Sequence, residues 1–382
     1  MYIFLTVFFV LYSGMHYYAF LKARAALALS PAASFFLIIF LIAMVSSPFM
    51  IRWSEKAGLE LPARLIAYTG YFWLGVLFIF CSCSIALDIY NLLVRAASMI
   101  SGKDMTFLVL GARHVFLVAA AYTLVVATYG YTEAKDIRVK RLTIKSPKVP
   151  VTGGPLRIVQ ISDIHLGLII REERLRRIVA LVKAAEPDIV VSTGDLVDGQ
   201  VCNLNGLSEL LLGLKPKYGK FAITGNHEFY AGFEQARCFI ANSGFVLLRD
   251  SAVSVDGFLN IAGVDDPAAK NLGLSTGITE GRLLSGLPRD RFTLFLKHRP
   301  LVDNNSKGLF DLQLSGHVHG GQIFPFTLIT KFYYPVYAGF TTLTAGSHLY
   351  VSRGTGTWGP PIRFLSPPEI AVIDIVPDDG SP

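Results

Sequence analysis

Five short segments concentrate the residues able to bind cations. They are Ser162-Asp163-Ile164-His165, Thr193-Gly194-Asp195, Gly225-Asn226-His227-Glu228, Lys297-His298-Arg299 and Gly316-His317-Val318-His319. Five of the eight histidines of the chain fall within them, and no cysteine does. Imidazole nitrogen, carboxylate oxygen and amide oxygen together form a donor set for Mn, Fe or Zn rather than a thiolate site. If Asp163-x-His165 and His317-x-His319 stay extended, each pair points to one face, because side chains alternate along a strand. Gly194, Gly225 and Gly316 allow the backbone to turn sharply where such groups crowd together.

The elements that must carry these residues are short apolar runs. Leu156–Ile161 ends in Ser-Asp, and Asp188–Thr193 in Gly-Asp. Lys220–Thr224 ends in Gly-Asn-His, Thr293–Lys297 in His, and Leu312–Ser315 in Gly-His. Arg171–Ala185 has helical periodicity, with Leu175, Ile178, Val179 and Val182 on one face. Strands alternating with helices predict an α/β domain rich in parallel sheet. Open α/β sheets bind ligands at the carboxyl ends of their strands, so residues spread from Asp163 to His319 are expected to converge on one rim.

Composition divides the chain. Of 382 residues, 52% are hydrophobic and 16% charged, with a mean hydropathy of +0.48. Soluble domains carry about 25% charged residues. A disordered chain and an ordinary soluble protein are excluded, and four cysteines exclude a disulfide scaffold. Residues 1–130 hold eight Lys/Arg and four Asp/Glu, leaving a near-balanced 27 and 24 for the remainder. The +7 net charge is therefore no nucleic-acid footprint, and no nucleic-acid partner is expected.

Met1–Leu21, Ala25–Ile51, Leu65–Leu87 and His114–Thr132 carry no formal charge. Each is about the 17–25 residues that a membrane-crossing helix needs. Four transmembrane helices are expected over 1–132, with an interfacial helix at 91–104. A basic linker over 133–150, marked by Pro147 and Pro150, then leads to a globular domain at 151–382. Nine Lys/Arg on the side of the C-terminal domain against five on the other place that domain in the cytoplasm.

Taken in order, the five polar segments resemble the calcineurin-like metallophosphoesterase superfamily, whose pattern is D-x-H, G-D, G-N-H-[DE], a lone His and G-H-x-H. The match runs across residues 157–319. Gly316–Gln322 and Ser352–Gly356 further resemble a branch of bacterial membrane-associated phosphoesterases. The resemblance implies an α/β fold, a four-layer sandwich of two mixed β-sheets flanked by helices, here preceded by an α-helical transmembrane region. It also implies two divalent metal ions. Asp163, His165, Asp195 and His319 would hold the first, and Asp195, Asn226, His298 and His317 the second. His227 would sit over the phosphoryl group and protonate the leaving oxygen.

The implied reaction is hydrolysis of a phosphate ester or anhydride by attack of a hydroxide bridging the two metals. A membrane anchor makes a lipid-linked phosphate ester the economical substrate, and similar membrane-attached members act on UDP-2,3-diacylglucosamine. Two rival readings are a tethered phosphodiesterase for soluble substrates and a non-catalytic metal-binding sensor. The complete ligand set and His227 argue against the sensor. Oligomeric state has no signature in the sequence.

Other residues keep two readings each. Asp198 orients a metal ligand or caps a helix, and Glu228 is structural. Arg299 meets a substrate phosphate or is a solvated loop residue. The aromatic stretch from Phe324 to Phe340 is either a core-packing insertion or a lip facing the bilayer.

Overall fold

The computed structural model describes residues 2–149, 154–199, 206–344 and 346–378. The chain divides into two compact units, one made chiefly of residues 1–132 and the other chiefly of 133–382.

The first unit is helical. Its helices are α1 (Tyr2–Leu27), α2 (Pro31–Lys56), α3 (Glu60–Ser101) and α4 (Ala112–Lys135). Leu65–Leu87 lies in α3, His114–Thr132 in α4 and the described part of Met1–Leu21 in α1, while Ala25–Ile51 is divided between the end of α1 and α2 by a break at 28–30. Among the described residues, three stretches, Pro31–Lys56, Glu60–Ser101 and Thr106–Lys135, are long and apolar enough to cross a membrane. Ser30 starts α2 by accepting the Ala33 N–H, and Pro31 fills a first-turn position where no N–H is needed.

The expected interfacial helix at 91–104 is not separate. Helix α3 runs unbroken for 42 residues and ends only at Gly102, in the left-handed region at φ 67°. At 1.5 Å per residue it extends about 63 Å. His16 is a satisfied packing residue. One ring nitrogen lies 2.8 Å from the Tyr12 carbonyl, and Trp73 donates to the other at 3.0 Å.

Among the described residues the second unit holds twelve strands. They are β1 (Arg138–Ser146), β2 (Leu156–Ile161), β3 (Ile189–Ser192), β4 (Lys220–Ala222), β5 (Val246–Leu247) and β6 (Ser251–Val255), followed by β7 (Leu259–Gly263), β8 (Phe292–Leu296), β9 (Leu312–Ser315), β10 (Gly339–Thr342), β11 (His348–Val351) and β12 (Glu369–Pro377). The helices among them are α5 (Glu172–Ala184), α6 (Leu207–Leu212), α7 (Asn226–Ala231), α8 (Phe233–Asn242), α9 (Ala268–Asn271), α10 (Glu280–Ser285) and α11 (Phe326–Tyr333).

Two six-stranded sheets form, in the orders β1-β12-β2-β3-β4-β5 and β10-β11-β9-β8-β7-β6. Both are mixed: β12 runs antiparallel to β2, and β6 and β10 run antiparallel to their neighbours β7 and β11. Strand β2 shows how alternation builds the layers. Leu156 and Ile158 enter the core between the sheets, alongside Leu294 and Leu314. Val159 and Ile161 face the opposite way, onto Leu175, Ile178 and Val182 of α5. Helix α5 fits that surface because its apolar residues recur at helical spacing, with Glu172 and Glu173 in the first turn and Lys183 in the last. The expected two-sheet sandwich with flanking helices is the fold observed.

The basic segment expected as a linker is instead the edge strand of the first sheet. β1 pairs in parallel with β12 over nine residues, from Arg138 opposite Glu369 to Ser146 opposite Pro377. Its partner lies far along the chain, so no local signal marks it as a strand. Exposed Arg138, Lys140, Arg141 and Lys145 leave a charged edge that disfavours pairing with another molecule. The expected boundary at 150/151 lies outside the described residues.

A chain beginning at residue 151 would lack β1 and leave the edge of β12 open. Compared by calorimetry with a chain beginning at residue 136, it should melt at least roughly 6 °C lower. Equal melting temperatures would show that β1 adds nothing to the catalytic sheet.

Candidate metal centre

Five loops at the carboxyl ends of β2, β3, β4, β8 and β9 carry the eight residues expected at the site. The expected strand alternation does not place them. β2 ends at Ile161 and β9 at Ser315, before the residues that matter. Asp163, His165, Asp195, His317 and His319 all lie at positive φ, between 49° and 74°. This left-handed backbone is uncommon for residues with side chains and clusters at functional sites. It turns successive side chains inward, where an extended strand would spread them.

Asp195 lies at the centre. His298 Nε2 stands 3.2 Å from Asp195 Oδ2, and His165 Nε2 stands 3.8 Å from the same oxygen. On one side, His165 Nε2 and His319 Nε2 approach to 3.1 Å, with Asp163 Oδ1 at 3.7 Å from His319 Nε2. On the other, His317 Nδ1 and His298 Nε2 approach to 3.1 Å. The ligand atoms of Asp163, His165 and His319 lie within 4.8 Å of one another, and so do those of Asp195, His298 and His317. Gly225 permits the β4 loop to close on this centre, since a Cβ there would fall 2.2 Å from Asp195 Oδ1.

The protonation pattern calls for added positive charge. The His298 Nδ1–H donates to the Thr193 carbonyl at 2.8 Å, so Nε2 of the neutral ring presents a lone pair to Asp195. Only a proton or a cation satisfies both. Burial would pull His298 down, yet Asp195 and then Asp163 raise it to about 10. Burial lowers His165 to about 4 and carries His317 and His319 well below the usual imidazole range, which leaves neutral donors. Burial opposes charge on Asp195 too, but His298 and His227 hold it well below the carboxylate range. Asn226 Oδ1 is buried without a hydrogen-bond partner. A buried amide oxygen left bare is costly unless something binds it. The donor set and this bare oxygen both fit a divalent cation.

His227 has its own support. Its backbone N–H donates to Asp195 Oδ1 at 2.8 Å, and its Nδ1 lies 2.9 Å from Asp198 Oδ1. Asp198 therefore orients His227, the expected acid, while the nearest expected metal ligand, His165, keeps its Nδ1 3.8 Å from Asp198 Oδ2. Burial would lower His227, but Asp195 and Asp198 outweigh it and raise the imidazole to about 9. Glu228 is structural, as expected, and central. Its carboxylate accepts the N–H groups of Asp195, Leu196, Val197 and Gly225, joining the β3 and β4 loops. Arg299 forms a two-point pair with Asp266 at 2.7 and 3.0 Å.

A family profile described as calcineurin-like phosphoesterase matches residues 156–321. A metallophosphoesterase of Aquifex aeolicus is 39% identical over 249 residues, which is 65% of this chain and 95% of that protein. The chain belongs to the calcineurin-like phosphoesterases. It is thus a metallophosphoesterase, a hydrolase of phosphate ester bonds. A Danio rerio protein named as a transmembrane protein with a metallophosphoesterase domain is 33% identical over 269 residues, covering 67% of this chain and 62% of that one. A Bos taurus protein of the same name is 30% identical over 366 residues, covering 88% and 76%. Relatives of this phosphoesterase thus come from both bacteria and animals.

The residue of this phosphoesterase that motif reading misses is Arg363, which is fully buried. Its Nη1 donates to the carbonyls of His319, Arg353 and Ser366, at 3.0, 2.7 and 3.2 Å. Its Nη2 donates to the Gly356 carbonyl and lies 3.0 Å from His319 Nδ1. Guanidinium has only donors. The contact holds the His319 ring from its Nδ1 side and leaves Nε2 facing His165 and Asp163. The only sequence signal was Ser352–Gly356, whose carbonyls Arg363 gathers.

Two substitutions should separate the supports. Glu228→Gln puts an amide N–H₂ among backbone N–H groups, and unpaired buried donors cost roughly 1–3 kcal/mol each, so melting temperature should fall by roughly 5 °C or more. Asp198→Asn should leave melting within about 2 °C but cut kcat roughly 10–100-fold through the misaligned His227. Unchanged kcat in Asp198→Asn would remove it from the site.

Proposed function

We propose that this metallophosphoesterase is a multi-pass membrane enzyme with a dinuclear centre that hydrolyses an amphiphilic or lipid-linked phosphate ester. The observation that carries the centre is the pair of ring-nitrogen clusters on either side of Asp195, each lacking only a positive charge. Asp163, His165, Asp195 and His319 hold one cation, and Asp195, Asn226, His298 and His317 hold the other. A bound pair supplies Lewis-acid polarisation of a phosphoryl oxygen and a water acidified to near neutral pH.

The chain's own groups do the remainder. Asp195 faces both clusters and fixes their separation. Asp198 ties down His227 Nδ1, so Nε2 is the nitrogen left to protonate a departing oxygen. Arg363 fixes the His319 ring and turn. Tyr230 and Trp358 stand edge-on to His227, at 5.6 and 5.8 Å between centroids, and Tyr334 stands edge-on to His317 at 5.8 Å. These rings put aromatic surface beside the site histidines, which suits an amphiphile.

The lipid-linked substrate follows from the apolar helices on the same chain, and UDP-2,3-diacylglucosamine is one molecule of that class. The basic flanks favour four spans with the catalytic unit on the cytoplasmic side. A tethered phosphodiesterase for soluble substrates is the competing outcome.

Full-length protein in nanodiscs, stripped by chelator, should regain bis-p-nitrophenyl phosphate hydrolysis on addition of Mn²⁺, with two metals per chain by elemental analysis. Asp195→Asn should lose both metal and activity. His227→Ala should keep the metal and lose roughly 10²–10⁴-fold in kcat. Hydrolysis unaffected by chelation would overturn the dinuclear reading, and a soluble diester preferred over every lipid phosphate would overturn the substrate class.

A further inference from the structure

The stretch that follows the last metal-site histidine is built unlike a protein interior. Helix α11, Phe326-Thr-Leu-Ile-Thr-Lys-Phe-Tyr333, has eight residues, of which only Thr330 is buried. Phe332 is 82% exposed, Tyr333 68% and Leu328 61%, with Phe326 and Ile329 also open. The core-packing reading of this stretch therefore fails for α11. The apolar surface continues beside it. The Phe324 N–H donates to the Phe364 carbonyl at 3.2 Å, and next along the chain Leu365 is exposed as well. A contiguous apolar surface of this kind on a folded domain marks an interaction site.

Charge indicates the partner. Between Asp311 and Glu369 the sequence contains no acidic residue, and Lys331, on α11 itself, is exposed. Aromatic and aliphatic side chains with a lysine on the same short helix, free of carboxylates, match the headgroup boundary of an anionic bilayer. The chain supplies the bilayer itself, because only two residues separate the end of α4 at Lys135 from the start of β1 at Arg138.

The helix is tied to the metal centre at both ends. At its start, the Gly321 backbone lies so close that a Cβ there would fall 2.4 Å from Thr327 Cα, and Thr327 Oγ1 donates to the Gly320 carbonyl at 3.3 Å. Gly320 and Gly321 continue the 3-10 turn that begins at His319. At its end, the Tyr334 N–H donates to the Thr330 carbonyl at 2.8 Å and the Tyr334 ring stands against His317.

We infer that α11 inserts into the membrane interface and sets the metal centre at headgroup depth. This deepens the reading of a membrane enzyme and rests on it. A phosphate held in a lipid headgroup then reaches the site without leaving its leaflet.

The test uses full-length protein in vesicles of phosphatidylcholine and phosphatidylglycerol carrying a phospholipid with a photoactivatable carbene precursor in its acyl chain. After irradiation, peptides are mapped by mass spectrometry. Residues 326–333 should be labelled roughly 10-fold more than helix α8 at 233–242, whose outer face is exposed, as an interfacial helix requires. The double variant Phe332→Ser, Tyr333→Ser should lose most of that label while hydrolysing bis-p-nitrophenyl phosphate at the parent rate, which shows that it folds. Background labelling of α11, or equal labelling of parent and variant, would overturn the inference. So would protection of α11 by a second copy, seen as protein-to-protein rather than lipid crosslinks. Labelling does not depend on turnover, so a labelled α11 without lipid phosphate hydrolysis would sink the substrate class and leave the docking surface standing.

Discussion

Two loops meet at the Glu228 carboxylate, and the metal centre depends on that meeting. Residues 195–197 follow β3, and Gly225 opens the turn after β4. Neither segment has sheet partners for its N–H groups, and both are buried. One carboxylate accepts four of those donors. Burial, and then the Asp195 charge, raise Glu228 to about 7, with the shared donors offsetting part of that penalty. The arrangement fixes Asp195 and Asn226 relative to each other without using either side chain, which frees both for ligands.

The same logic recurs on the other flank with the charge reversed. Arg363 is a buried cation that gathers carbonyl groups where Glu228 is a buried anion that gathers N–H groups. The two clamps bracket a centre whose side chains are mostly acceptors. Five site residues sit in left-handed backbone, each costing on the order of 1 kcal/mol or more. Such strain persists only where the surroundings over-determine it. The paired sheets beneath and the two clamps beside provide that constraint, and the site is consequently rigid before any ligand arrives.

Most of the site was legible in the sequence because its signals are local. A ligand next to the end of an apolar run is visible within six residues, and Leu156–Ile161 and Leu312–Ser315 are strands with those bounds. The two-layer core was legible for the same reason, since β2 alternates between its two faces. What the sequence hid is set by distant partners. β1 looked like a basic linker because its stability comes from β12, on the far side of the domain in sequence. Arg363 looked like any loop arginine because the carbonyls it serves belong to residues 319, 353, 356 and 366. The left-handed turns were hidden as well, for D-x-H and H-x-H read equally well as strand and as loop. Helix α3 outran its expected span because Asp88 ends an uncharged run but does not end a helix.

The placement of β12 bears on the order in which the protein can assemble. It is the last of the twelve strands to leave the ribosome, yet it sits between the two earliest, β1 and β2. Until it emerges, β1 has no neighbour and β2 carries an open edge. The catalytic sheet is therefore sealed after translation reaches the C-terminal strand, and a nascent chain stalled upstream presents two unsatisfied strand edges to chaperones and proteases.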